Sequence, residues 1–393
     1  MQAALFAVSC QESDLTSASS EGVQTLIGFH ASVEDSNTRS VGDGELTTAL
    51  LKDRGFGVYC WYTGSADFTT PKPTSARTGS QPYLMLMRNQ KVTWDGAATA
   101  WVYSPTKFWP QDPTEKLTFR AYAPYTGYLL TDATTGMPQL PVVVTKDDYH
   151  NGAQHDPLWG TGRSVADDKY GEHYTNVTYA TSSHRTTPDA VADNTADGYI
   201  HWYFHHGMAK LVFKAKLADE APDDERITIT SIKVEPLYTR GLLDLSSAST
   251  RASDKPTWTD FNGADEDMKG AGALTLNLDT DTPANSDLRD VSVTKTAGVS
   301  PVVDVAKEGL LIIPRTYTTA NPLVITVYYQ REGDTTVYEA QASLPANTDP
   351  QAFYGNTVYT ITLNINPVTK NFTITISVNL YWQVGSYKLI DEL

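Results

Sequence analysis

Three histidines crowd the stretch His201-Trp202-Tyr203-Phe204-His205-His206, and closely spaced imidazoles invite a metal ion. In an extended strand, however, successive side chains point to opposite faces. His201 and His205 then share one face and His206 takes the other, so this spacing does not bring three ligands to one centre. Histidines packed among aromatics, each nitrogen hydrogen-bonded, is the plainer reading. Asp193-Asn194-Thr195-Ala196-Asp197-Gly198 is rich in oxygen ligands for calcium but lacks the glutamate that closes such a loop. There is no Gly-x-Ser-x-Gly elbow, no His-Glu-x-x-His and no Walker loop. "GFGVYC" and "GTGRSV" each supply two glycines, short of a dinucleotide fingerprint. A carboxylate pair for glycoside hydrolysis is a matter of distance in space, and nothing local favours one. No catalytic residue, metal or cofactor is expected.

The two cysteines are too few for a disulfide framework. Cys60 sits in a strand-like run, "GFGVYCWY", and is expected to be a small buried hydrophobe. Cys10 has a different setting. The apolar run at 3–8 is far shorter than the ~20 residues a membrane span needs. It ends in Ala7-Val8-Ser9-Cys10, which resembles a lipobox, after which signal peptidase II cuts and whose thiol carries a diacylglycerol. Glu12 and Asp14 follow closely, like a surface-export signal. A positive n-region is absent, and a cysteine without a role in a disordered start is the alternative. Residues 1–22 are therefore expected to be a truncated signal peptide, a lipidation site and a flexible tether, giving a lipid anchor in an outer membrane.

The net charge of −16 argues against nucleic acid and against a polybasic membrane patch. Twenty-two tyrosines, with frequent Thr and Val, favour pleated, half-buried surfaces.

Period two dominates the elements that must position these residues. In "QTLIGFHASV", Ile27, Phe29, Ala31 and Val33 share one parity, as in a half-buried strand. Residues 34–48 and 63–82 read as polar loops. "YLMLM" and "KVTW" read as two strands with a turn at Arg88-Asn89-Gln90. Residues 145–197 are long, polar and weakly patterned, and are expected to be mixed loops with one short helix. A second block opens at "GYIHWYFHHGMAKLVFKAKL", with strands at "ITITSIKVEPL", "ALTLNL", "GLLIIP" and "LVITVYY". The expected architecture is all-β: two Greek-key β-sandwiches in tandem, at 23–197 and 198–393.

The C-terminal part carries the longest alternation. Tyr359, Ile361, Leu363 and Ile365 share a parity; after the turn "NPVTKN" so do Phe372, Ile374, Ile376, Val378, Leu380, Trp382 and Val384. At ~3.3 Å per residue that second row spans roughly 40 Å, about twice an ordinary strand. Such a strand is expected to outrun its own sheet and leave an apolar row for something else.

An ordered series of segments resembles the fimbrillin family, the type V pilins of Bacteroides-type bacteria. It runs from a first strand ending near "NTR" through "FGVYCWYTG", "FWPQDPTEKLTFRAYAP", "HHGMAKLVFKAKL" and "LLIIPRTYTTANPLVITVYY" to "GNTVYTITLNI" and "VNLYWQVG". The resemblance implies a surface lipoprotein with two transthyretin-like sandwiches. It implies that an arginine-specific protease removes the first strand, and that a strand from a neighbouring pilin subunit fills the groove, giving a homo- or hetero-polymer that supports adhesion to a host or bacterial surface ligand. By position the processing arginine is Arg39, with Arg54 second; either is equally an exposed loop arginine. Only residues 386–393 follow "YWQVG", short for a donor segment, which implies a tip or anchor subunit, or a final strand that itself swings out. The alternative function is a surface lipoprotein that binds glycans through aromatic-rich loops without polymerising, and a hydrolase on a β-sandwich stands third.

Overall fold

The computed structural model describes residues 25–33, 48–68, 84–132, 136–144, 156–161, 174–178, 198–238, 240–245, 257–259, 272–277, 291–345, 349 and 351–379. In the first half these form β1 (Gly28–Val33), α1 (Thr48–Arg54), β2 (Phe56–Gly64), β3 (Leu84–Asp95), β4 (Ala100–Val102), β5 (Lys116–Ala123), β6 (Leu130–Thr131), β7 (Pro138–Val143), β8 (Leu158–Thr161) and β9 (Tyr199–His206). The second half adds β10 (Ala209–Leu217), β11 (Arg226–Leu237), β12 (Arg240–Asp244), β13 (Thr257–Thr259), β14 (Gly272–Asn277), β15 (Val291–Thr294), β16 (Val303–Ile312), β17 (Arg315–Tyr317), β18 (Leu323–Arg331), β19 (Tyr338–Leu344), β20 (Gln351–Phe353), β21 (Thr357–Asn366) and β22 (Asn371–Asn379). The fold is all-β, as its period-two patterning dictates.

A seven-stranded sheet runs β1-β9-β8-β5-β2-β3-β4. Its two ends approach each other: β1 packs against β4, and Leu26 bridges Phe108 just beyond it. The sheet thus curls around one cluster containing Ile27, Phe29, Phe56, Val58, Cys60, Phe119, Trp202 and Phe204. Its other face, with Tyr59, Trp61, Tyr122 and Trp159, joins a second cluster that runs into the later strands. There the sheet β16-β10-β21-β22 and the sheet β14-β11-β18-β19 supply the apolar alternation. β21 alternates buried and half-buried over all ten residues, from Thr357 to Asn366. In β11, Ile227 and Ile229 face inward, and then Ile232 and Val234 do; the parity flips at a bulge between Ile229 and Ser231.

Four details differ from the sequence expectation. Arg88-Asn89-Gln90 is not a turn. β3 runs through it, and two residues of β3 oppose one of β2 between Val58↔Gln90 and Cys60↔Met87. Asn89 takes φ +49° in this bulge, and its amide holds the hydroxyl of Tyr122 at 2.6 Å and the carbonyl of Thr126 at 2.9 Å. Second, the end of the expected loop 34–48 passes into α1, seven residues with Leu51 buried beneath it. Third, β8 lies within the polar stretch 145–197, buried along its whole length. Fourth, residue 198 precedes β9, and β9 is paired on both edges within the first sheet, to β1 and to β8. The passage between sheets falls at Gly207-Met208, because the apolar alternation of β9 is indistinguishable from that of β10 in sequence. β12 then returns to pair with β7 of the first half.

Candidate functional site: the first strand and the groove beneath it

β1 pairs parallel to β9 from Gly28↔Tyr199 to Val33↔Phe204. Its alternation puts Ile27, Phe29 and Val33 fully inside and Ala31 half inside. Phe29 is the centre of the contact. Its ring lies 5.3 Å from Tyr103, 6.1 Å from Phe56 and 6.5 Å from Phe119, the last two edge-on. Burying each large side chain is worth roughly 1.5–3 kcal/mol, so this strand carries a large part of its neighbours' stability.

Polar contacts fix its register. The chain just before β1 pairs with the 107–109 segment: the amide of Trp109 donates to Thr25 O at 2.9 Å and that of Ile27 to Lys107 O at 3.0 Å. The Tyr103 hydroxyl donates to Ile27 O at 2.7 Å and accepts from the amide of Lys107 at 3.2 Å. Burial pushes this phenol up to about 12, so it stays protonated and able to donate. The Trp109 indole donates to Gly198 O at 2.8 Å, and the amide of Gly28 reaches the same carbonyl at 3.1 Å. At the far end the amide of Val33 donates to Thr48 Oγ1 at 3.0 Å, which ties β1 to the first residue of α1.

The outer face is covered by rings. Tyr199 lies over Gly28, where a side chain would have no room, and its ring is 4.7 Å from that of His30. His30 stacks on His201 at 4.9 Å. Behind β9, the Tyr174 hydroxyl donates to His201 O at 2.8 Å and accepts from its amide at 3.1 Å; burial raises this phenol strongly.

His205 and His206 are held in buried polar contacts. His205 Nε2 and Thr161 Oγ1 are 2.7 Å apart, and His206 Nδ1 lies 2.5 Å from Asp156 Oδ2 in a fully buried pair. Among the described residues no three His, Cys, Asp or Glu gather as metal ligands. Cys60 is fully buried, and burial pushes its thiol well up.

The structure brings Ile27, Phe29, Ala31 and Val33 together over one cluster. It sets the C-terminal row apart on the other. Among the described residues β22 is an edge strand paired only to β21; Phe372 is buried in the second cluster, with Ile374 and Ile376 half-buried against it. Val378 is part of the strand, whereas Leu380, Trp382, Val384, Cys10 and Arg39 lie outside the described residues. Arg54 is the exposed last residue of α1. Sequence reasoning missed Tyr103, Tyr174, Tyr199 and Thr48, because each acts on the first strand from far along the chain. Gly28, interrupting an apolar run, was a visible signal.

A family model described as fimbrillin-like matches residues 38–380. The chain is similar to fimbrium subunit Fim1C of Phocaeicola vulgatus, at 22% identity over 386 residues that cover 94% of this chain and 93% of that protein. It also resembles the crystal structure of a fimbrial protein from Bacteroides vulgatus, with a TM-score of 0.57 and 18% identity, covering 91% of this chain and 99% of the other. That likeness is one of fold; the family match, extending over most of the sequence, places the chain itself in the fimbrillin-like family.

Proposed function

We propose that this chain is a fimbrial subunit of the bacterial surface, assembled by loss of β1 and entry of a strand from another pilin subunit. The observation that carries the reading is the position of β1. It closes the curl of the seven-stranded sheet and inserts Phe29 at the heart of a cluster, yet among the described residues it pairs along its ladder only with β9. Its departure exposes a preformed apolar groove and the main-chain groups of β9, the two elements strand addition requires. A head-to-tail contact of this kind does not close on itself and builds a filament.

In this reading an arginine-specific protease cuts at Arg39. Arg54 is the poorer site, since it ends a helix whose Leu51 is buried. Cys10 carries the lipid that holds the precursor at the outer membrane. The apolar row from Phe372 to Val384 is the candidate donor, because its described part already lies at a sheet edge. The chain acts as two sandwich domains that pass into one another at Gly207-Met208, with β9 in the first.

Limited trypsin digestion tests this. Cleavage at Arg39 with release of the N-terminal fragment is expected to turn monomer into filaments visible by electron microscopy. A protein that is cleanly cut there, loses the fragment and remains monomeric at high concentration overturns the proposal.

A further inference from the structure

Gly28 and Tyr199 face each other in the parallel register. A Cβ on residue 28 would stand 2.5 Å from Cδ1 and 2.7 Å from Cζ of the tyrosine ring. No side chain tolerates such an approach, so any residue other than glycine must push the ring away, and with it the stack on His30 at 4.7 Å. The strand cannot evade the ring by sliding. Ile27 and Phe29, on either side of Gly28, are fully buried, and a shift by one residue turns the whole core face outward.

We infer that Tyr199 is the specificity-determining residue of the groove. It reads the absence of a side chain. The strand it admits has a glycine facing the ring and large apolar residues at the inward positions next to it; the row from Phe372 to Val384 holds no glycine, so the entering strand is supplied by a pilin of different sequence, and this row serves another subunit's groove. The inference rests on the reading that β1 is exchanged.

Ordinary strand preference runs the other way. Replacing glycine by alanine or valine in an extended segment lowers the entropy lost on docking and raises β propensity. Without the ring, a valine strand would bind more tightly than a glycine strand. The two possibilities therefore differ in sign.

The experiment uses the full chain with an engineered protease site at Arg39, cut so that β1 is held only by non-covalent contacts. Fluorescent peptides of residues 25–34, carrying Gly28, Gly28→Ala or Gly28→Val, compete for the groove, and anisotropy reports their affinity. The glycine peptide is expected to bind best, with alanine weaker by about tenfold and valine weaker still, as for overpacking at a rigid contact. Tyr199→Phe keeps the ring and is expected to keep the order. Tyr199→Ala is expected to reverse it. Valine binding as well as glycine in the unaltered protein overturns the inference whether or not the alanine variant folds, and so does an unchanged order in Tyr199→Ala. If no peptide enters the cut protein, the exchange reading fails and this inference fails with it.

Discussion

The Tyr103 hydroxyl lies 2.7 Å from the carbonyl of Ile27, so a residue on the far side of the sheet's seam holds the strand that closes it. Tyr103→Phe keeps the ring against Phe29 and removes this bond together with the one its hydroxyl accepts from the amide of Lys107. The expected cost is about 1 kcal/mol, seen as a lower urea midpoint, because a buried carbonyl loses its donor. Exchange of β1 in the cut protein is expected to quicken in step.

Phe29→Ala is expected to be far more damaging, at about 3–5 kcal/mol, since it opens a cavity among Phe56, Phe119 and Tyr103. Chemical denaturation of the uncut chain measures this. Ala31→Gly, at a half-buried position, is expected to cost much less.

Alkaline pH is expected to loosen the fold in a defined window. Tyr59, Tyr103 and Tyr359 all have phenols pushed up to about 12, chiefly by burial. The folded state therefore holds these protons more tightly than the unfolded chain. Their stabilising contribution is complete below the ordinary phenol value of ~10 and is lost as pH rises towards 12. Thermal midpoints measured from pH 8 to 11.5 are expected to be flat at first and then to fall. Tyr103→Phe should make the fall shallower.

Cys60 is expected to be inert to a thiol reagent in the folded protein and to react only on unfolding, because burial disfavours the thiolate. Labelling followed by mass spectrometry checks this. Rapid modification of Cys60 in native buffer contradicts the burial.

Asp156→Ala is expected to cost about 1–3 kcal/mol by leaving the imidazole of His206 without its carboxylate. This pair sits where the chain leaves the first sheet. The amide of Gly207 donates to Pro157 O at 2.7 Å, and that of His206 to Asn356 at 3.2 Å. Calorimetry is expected to show broader melting as well as a lower midpoint, as the two halves of the molecule uncouple.

Alternation made much of the fold legible. The parity of Ile27, Phe29, Ala31 and Val33, and that of Tyr359 to Ile365, can be read directly, since one buried face imposes period two. What escaped was whatever breaks or borrows that period. The bulge at Asn89 imitates a turn, because the same Asn supplies positive φ in both. β8 is four residues in a polar surrounding, too short to show alternation. β9 continues into β10 with only Gly207 and Met208 between them, so the sheet to which each belongs is settled by long-range pairing. At the first strand, the apolar half was visible and the aromatic half was not: Tyr103 and Tyr199 lie 76 and 171 positions beyond Ile27 and Gly28 respectively.

The inward curl of the seven-stranded sheet has a consequence for storage and transport. With β1 seated, the main-chain groups of β9 are paired on both sides, to β1 and to β8, and are withdrawn from any other chain. Under the proposed function, precursor copies can be stored and moved with that ladder covered. Under the proposed exchange, the cut that frees β1, and not a rise in concentration, sets when copies join.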